Sequence, residues 1–534
     1  MMVVSGHGLI RKGISRLPVA LPTGDAQGKV IIPQKDDDLR PAIPAYCQPT
    51  TTHYMKTAKF SWLAAILTAV LPVLLVPGLA SAQSHPVTVA VQDDGQGAPI
   101  APAFLGLSYE SSMLLPKDGH YYFDAGDQAL VNVFQTLGIK SLRVGANAVD
   151  DPRIPVPQEP DIDALFQFAR AAGVKVIYSF RLKNGNPAEA ARLATYIQQH
   201  YADLLDCFAV GNEPNFFKVK TYEAFYEQWK PLYDAILAAV PQAKFDGPSA
   251  DAPYALHLVK DVFPGGHLAM ASDHYYFLGS GRAAETNAPM SRARFLDNHL
   301  HKSYEKDYAN LGALLAAQGV PYRIDEMNSC YNGGAFGSSD TFASALWALD
   351  CTHWWAAHHI LGVNYHTGEL VGRDGKFGPP NYAAFLRQAD GQGFAMRPQG
   401  YAYLAFTQGA HGRPLAVAIE DPAALNFNAY AFRDADGTFN VTLINKSPGE
   451  TVSPAEVTVQ LPAGTGTGTW SRMDLVQENQ DVAAKTEIHL GGAEVDSHGN
   501  WTGQWQSVKS DPAAALTVKI KPASAAILRY TPAK

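Results

Sequence analysis

Residues 175–213 read KVIYSFRLKNGNPAEAARLATYIQQHYADLLDCFAVGNE and contain one complete strand–helix–strand unit. An apolar run rich in β-branched and aromatic residues (175–182) gives way to a polar break at 183–186. A helical pattern then covers 187–200, with Pro187 in its first turn, before a second apolar run at 207–213. Two strands joined through a helix run parallel, because only such a crossover returns the chain to the same end of the sheet.

The same alternation extends in both directions. AFLGLSY (103–109) and KSLRVGA (140–146) come before it; AKFDGPS (243–249), LAMASDHYY (268–276), YRIDE (322–326) and LGVNYHT (361–367) come after. Helical patterns fall at 160–172, 221–240 and 340–358, the last with Ser339 and Asp340 as its expected cap. Eight such units predict fold class α/β, a (β/α)8 TIM barrel over residues 101–409, with its active site at the strand C-termini. The stretch 277–319 exceeds one crossover and is expected to carry an extra loop. From 410 to 534 the period changes to two, in LAVAIE (415–420), FNAYAFRD (427–434), FNVTLIN (439–445), EVTVQL (456–461), LTVKIK (516–521) and AAILRY (525–530). This predicts a C-terminal antiparallel β-sandwich, with 464–469 as a surface loop. VTVAV (87–91), within an N-terminal segment 83–100, is expected to add a strand to it.

Ahead of these units, Met55, Lys56 and Lys59 precede an apolar run from Phe60 to Leu79 that ends in Ala80, Ser81 and Ala82. This is the anatomy of a secretory signal peptide over 55–82, so residues 1–54 are expected to be an upstream extension outside the mature protein, which is secreted or periplasmic. A retained membrane anchor is the alternative; Pro72, Pro77 and the small-residue ending favour cleavage. The whole chain carries a formal net charge of −8. Residues 1–82 contribute eight Lys/Arg and four Asp/Glu, which leaves −12 on the remainder. Such a surface repels polyanions at long range and argues against a nucleic-acid partner. Cys207, Cys330 and Cys351 remain, an odd number in no zinc-binding spacing, and are expected to be buried thiols.

Two strand ends carry the chemistry. The fourth ends in Gly211-Asn212-Glu213-Pro214-Asn215 and the seventh in Ile324-Asp325-Glu326-Met327-Asn328. Both place a glutamate at the barrel mouth, on opposite sides of the ring. Hydrolysis of a glycosidic bond needs one carboxylic acid to protonate the leaving oxygen and one carboxylate to attack the anomeric carbon, about 5–5.5 Å apart in retaining enzymes. Glu213 is the expected acid/base, its proton held by burial and by the neighbouring charge of Glu326, the expected nucleophile. A lone glutamate at a strand end is more commonly a cap or an ion-pair partner; the pair carries the argument. Asn212 can hydrogen-bond a sugar 2-hydroxyl. Asn147 and Glu110 lie at strand ends and can contact the sugar, and one of His274, Tyr275 and Tyr276 is expected to line the pocket. His353, His358 and His359 on one helix suit packing better than a metal. No cofactor motif and no metal-ligand spacing is present.

The blocks FLGLSYE (104–110), LRVGANAVD (142–150), GNEPNFF (211–217), DHYYF (273–277), DEMNSCYNGG (325–334) and NYHTG (364–368) resemble glycoside hydrolase family 79, the β-glucuronidase and heparanase group of clan A. The resemblance spans nearly the whole barrel and implies Glu213 as acid/base, Glu326 as nucleophile and Asn212 on the 2-hydroxyl. It also implies that Tyr331, with the amides around Gly333 and Gly334, holds a glucuronate carboxylate, helped by Tyr365. Arg143 would keep Glu326 ionised; a purely structural ion pair is the alternative. Ala146 stands where a second glycine is expected.

The expected activity is that of a retaining exo-β-glucuronidase acting on glucuronic-acid-containing saccharides or glucuronide conjugates, with no cofactor. An endo-acting heparanase-like or hyaluronidase-like enzyme of the same fold is the nearest alternative, disfavoured by the acidic charge and the lack of a basic cluster at the strand ends. A catalytically silent sugar-binding protein is a third reading, and another clan A activity would leave the Tyr331–Gly334 turn without a purpose.

Overall fold

The computed structural model describes residues 84–533 except 219, 370–377, 450–452 and 510–514. The upstream extension and the signal segment lie outside the described residues. No helix among the described residues is long and apolar enough to cross a membrane.

Strand β1 (His85–Gln92) precedes eight parallel strands that close into a barrel in chain order. These are β2 (Leu105–Glu110), β3 (Ser141–Gly145), β4 (Lys175–Phe180), β5 (Leu205–Val210), β6 (Phe245–Gly247), β7 (Leu268–Tyr276), β8 (Tyr322–Asn328) and β9 (Gly362–His366). Every expected barrel strand is present. They read as near-continuous apolar runs because helices cover their outer faces, so side chains on both faces are buried. Ile177, Cys207, Ala209 and Met270 form one apolar cluster, and Arg143, Arg323, Asp246, Asp325 and Asn364 are buried as well. All three described cysteines are free and buried.

Residues 277–319 differ from the expected loop: they hold short helices at Gly281–Glu285, Ala288–Leu296 and Leu300–Asp307. The cap of helix Phe342–Ala357 is also displaced, to Thr341, because Asp340 turns back to accept from the Gly337 amide at 2.7 Å. That helix is buried almost throughout, wedged between the barrel and the second domain.

A small hairpin, β10 (Phe385–Arg387) and β11 (Phe394–Met396), leads to the sandwich. Its strands are β12 (Arg413–Glu420), β13 (Phe427–Arg433), β14 (Phe439–Asn445), β15 (Ala455–Gln460), β16 (Gly468–Gln477), β17 (Ile488–Leu490), β18 (Gln506–Val508), β19 (Ala515–Ile520) and β20 (Ser524–Pro532). The order is β17-β16-β20-β14-β13-β12-β1-β15-β19, with β18 on β16. Strand β12 belongs to both halves: Arg413 to Leu415 pair with β13, and Ala416 to Glu420 pair with β1. The sheet thereby folds over a single apolar core that includes Val89, Val441, Val457, Trp470 and Leu528. One ladder departs from the expected antiparallel pattern, since β1 runs parallel to β15. The end of the 464–469 stretch lies within β16 rather than in a loop; the alternation that would have marked the strand changes phase between Trp470 and Met473, where Ser471 and Arg472 both lie off the core.

Barrel and sandwich are joined through a buried ion pair. Lys446, just past β14, meets Asp350 of helix Phe342–Ala357 at 2.7 Å, and both side chains are fully buried. The Asp350 carboxylate also accepts from Asn428 (2.9 Å), Tyr430 (2.7 Å) and His301 (3.0 Å). Burial favours the neutral acid, but Lys446, His301 and these donors hold the Asp350 carboxyl well below the usual carboxylate range.

Candidate active site

Glu213 is aimed by backbone geometry. Beyond β5, Gly211 has φ +87°, and a Cβ there would meet Leu182 at 2.7 Å. Asn212 donates its amide to Asp150 Oδ2 (2.9 Å) and Glu213 donates its own to the Ser249 carbonyl (2.9 Å). Glu213 then takes a left-handed φ of +46°, a conformation that costs a non-glycine residue about 1 kcal/mol and turns the side chain over the barrel mouth.

Glu326 reaches the same space by another device. Along β8, side chains should alternate between the barrel interior and the surrounding helices. The register of β8 against β9 shifts between Ile324 and Met327, and that of β7 against β8 shifts between Asp273 and His274. A bulge of this kind adds one residue and re-aims the next side chain. Asp325 and Glu326, neighbours in sequence, consequently both face Arg143: its Nη1 donates to Glu326 Oε2 at 2.7 Å and its Nε lies 3.1 Å from Asp325 Oδ2. Arg143 also donates to Asn212 Oδ1 (2.7 Å) and Ser108 Oγ (3.0 Å). The Tyr276 hydroxyl donates to Glu326 Oε1 at 2.7 Å. Burial pushes the Glu326 carboxyl up; His366, His274, Arg143 and the Tyr276 hydroxyl together outweigh it and hold the group ionised, well below the usual range.

One oxygen each of Glu213 and Glu326 and a ring nitrogen of His274 lie within 4.8 Å of one another. The trio is close enough to enclose a cation, but both Glu326 oxygens already accept hydrogen bonds and His274 Nδ1 is directed at Glu213, 2.8 Å away. The donor set therefore suits proton transfer better than coordination. Around it opens a cavity of about 940 Å³, lined on one side by Glu110, Asn147, His366 and Thr367 and on the other by Tyr331, Asn332, Gly333, Gly334 and Tyr382. Asn212 is buried, its Nδ2 has no hydrogen-bond partner, and it is not among the residues that line the cavity. Asn332, Gly333 and Gly334 have φ of +62°, +79° and +77°, and a Cβ on Gly334 would meet the Tyr382 ring at 2.9 Å. Glu110 is fixed by the Ala148 amide (2.7 Å), and burial raises its pKa. Ala146, at the expected glycine position, does adopt a glycine-like φ of +51°.

Tyr365 is a correction. Its ring packs outward against Trp347 and Tyr403, its hydroxyl pairs with Thr352 Oγ1 at 2.8 Å, and it does not line the cavity. On β9 Asn364 and His366 point inward and Val363 and Tyr365 outward, so the pocket residue is the next one, His366. Sequence reasoning passed over His366, Tyr382 and Arg282, all of which line the cavity. The period-2 parity of β9 could have found His366; Tyr382 and Arg282 arrive on long connections that carry no period.

His274 joins the acid to the floor of the site. Its Nδ1 contacts Glu213 Oε1, and its Nε2 lies 3.5 Å from Asp325 Oδ1. Burial opposes its charge, but Glu326, Asp325 and Glu213 raise its pKa to about 9. A histidine raised on folding stabilises the native state fully below its unfolded pKa near 6.5, and that contribution disappears as pH rises through about 9. Melting temperatures of the wild type and His274→Asn, compared from about pH 6 to about pH 10, should therefore converge across that window. A gap independent of pH would contradict a protonated His274.

No protein-family model matches the chain. A β-glucuronidase of Aspergillus niger is 23% identical over 343 residues, which is 54% of this chain and 62% of that enzyme. The match thus spans less than two thirds of its relative. A 4-O-α-L-rhamnosyl-β-D-glucuronidase from Fusarium oxysporum superposes with a TM-score of 0.62 at 19% identity, covering 83% of this chain and 99% of that one. A family 51 α-L-arabinofuranosidase from Bifidobacterium longum follows with a TM-score of 0.61 at 14% identity, covering 84% and 100%. The fold is that of glycoside hydrolases.

Proposed function

We propose that the protein is a retaining exo-β-glucuronidase. Glu326 attacks the anomeric carbon while Glu213 gives its proton to the glycosidic oxygen, so the bond to the leaving alcohol breaks as a covalent glycosyl-enzyme forms. Water then attacks the same carbon, loses a proton to Glu213 and frees Glu326. The observation that carries this reading is the carboxylate pair within 4.8 Å, one member held ionised by Arg143 and Tyr276 and the other positioned by His274. Asn212, with its free Nδ2, is suited to the sugar 2-hydroxyl. The glucuronate carboxylate is assigned to Tyr331 and the Asn332–Gly334 turn, with His366 and Tyr382 in place of Tyr365. Support for the substrate comes from the two relatives whose names include glucuronidase. Export through the 55–82 segment, to the periplasm or outside the cell, is part of the same proposal.

The test is release of p-nitrophenol from the β-glucuronide, the β-glucoside and the β-xyloside by protein starting at Gln83. We expect a preference for the glucuronide of at least about 10³-fold, because donors built for a carboxylate are left unpaired by a neutral sugar. Preference for a neutral glycoside would refute the carboxylate assignment, and cleavage restricted to internal bonds of longer saccharides would replace exo by endo action.

A further inference from the structure

Among the described residues the large hydrophobic side chains left exposed are few, and two of them, Phe216 and Tyr331, line the same cavity. Phe216 is 68% exposed. It sits three residues past Glu213, on the short turn Pro214–Phe216, where its amide donates to the Glu213 carbonyl at 2.9 Å and that of Phe217 donates to Pro214 at 3.0 Å. The proline and these two bonds fix the backbone that carries the ring to that of the acid. An acid that protonates the leaving oxygen stands by necessity on the leaving-group side, so a ring fixed to it lies on that side too. Next to it Asn215 lines the cavity, and its Oδ1 is buried without a hydrogen-bond partner. A buried acceptor with no donor costs free energy unless a ligand supplies one.

We propose that Phe216 and Asn215 form the leaving-group subsite, and that its occupant is a second sugar ring. The apolar face of a pyranose covers the exposed ring, and one of its hydroxyls donates to Asn215 Oδ1. An aryl leaving group would satisfy the first contact and not the second. The inference rests on Glu213 being the acid and deepens the reading above from a glucuronidase to one that acts on saccharides.

Three substrates with the same glycone separate the contacts: a β-glucuronosyl fluoride, with neither face nor hydroxyl; an aryl β-glucuronide, with a face alone; and a β-glucuronosyl pyranose disaccharide, with both. For Phe216→Ala we expect kcat/KM to fall roughly ten-fold on the disaccharide and the aryl glycoside and to stay within about two-fold on the fluoride. For Asn215→Ala the loss should be confined to the disaccharide. Equal losses on all three would mean that the turn merely holds Glu213, and no loss on the disaccharide would remove the subsite; either result overturns the proposal. Phe216→Tyr, which keeps the flat ring, should restore activity on the disaccharide. If the wild type ignores glucuronides and cleaves another glycone, the glucuronidase reading fails, and the same three leaving groups on that glycone still decide the subsite.

Discussion

Glu326→Ala is expected to lose roughly 10⁵-fold in kcat on p-nitrophenyl β-glucuronide. The side chain makes the bond to carbon in the first step, and nothing nearby replaces it: Asp325 lies beneath it, engaged by Arg143 and by the Ser249 hydroxyl at 2.6 Å. Glu213→Ala should differ in kind. With p-nitrophenol as leaving group, little protonation is needed and the first step survives. With a sugar or alkyl leaving group the loss should reach about 10²–10⁴-fold, the usual contribution of a general acid. The ratio of the two losses is the signature of the acid. Wild-type rates in Glu326→Ala, or equal losses on aryl and alkyl glycosides in Glu213→Ala, would exchange or abolish the assignments.

The second large effect concerns stability. Lys446→Met should lower stability by about 3–5 kcal/mol, because it strands the fully buried Asp350 carboxylate at the seam between barrel and sandwich. Calorimetry should show a fall of several degrees in melting temperature. The double variant Asp350→Asn/Lys446→Met should recover most of it, since an amide still accepts from Asn428 and Tyr430 without carrying a charge. The penalty also depends on pH. A carboxyl lowered on folding stabilises the native state above its unfolded pKa near 4, and the contribution is lost as pH falls through the folded value. The single variant should thus lose its disadvantage in strong acid. A fall below about 1 kcal/mol at neutral pH would show that the seam does not depend on the pair.

The barrel was legible because each of its strands is an apolar run of five to nine residues, apart from the three-residue β6, and helical periodicity separates them. The sandwich strands were legible where one face stays polar, as in β15 and β19, and illegible in β16, where the alternation changes phase at Ser471 and Arg472. Glu213 and Glu326 stood out by position, yet what brings them together is not written in residue types: a left-handed backbone at one, a register shift beside the other. Tyr365, which the resemblance implies, faces away from the cavity, and the period-2 parity of β9 puts His366 there instead. Tyr382 and Arg282 enter from segments without a period, and only tertiary structure delivers them to the cavity.

Strand β1 lies in the interior of the sandwich sheet, flanked by β12 on one side and β15 on the other. A chain emerging from the ribosome therefore holds residues 85–92 without a strand partner until β12 is complete at residue 420, and without the second until residue 460, with the whole barrel synthesised in between. The C-terminal module cannot be excised by a cut near residue 410, because β12 and β15 would both be left with raw hydrogen-bonding edges that invite other chains. Truncations and purification tags placed at residues 85–92 are consequently a perturbation of the C-terminal half of the sheet, and aggregation after such trimming would be the first sign of it.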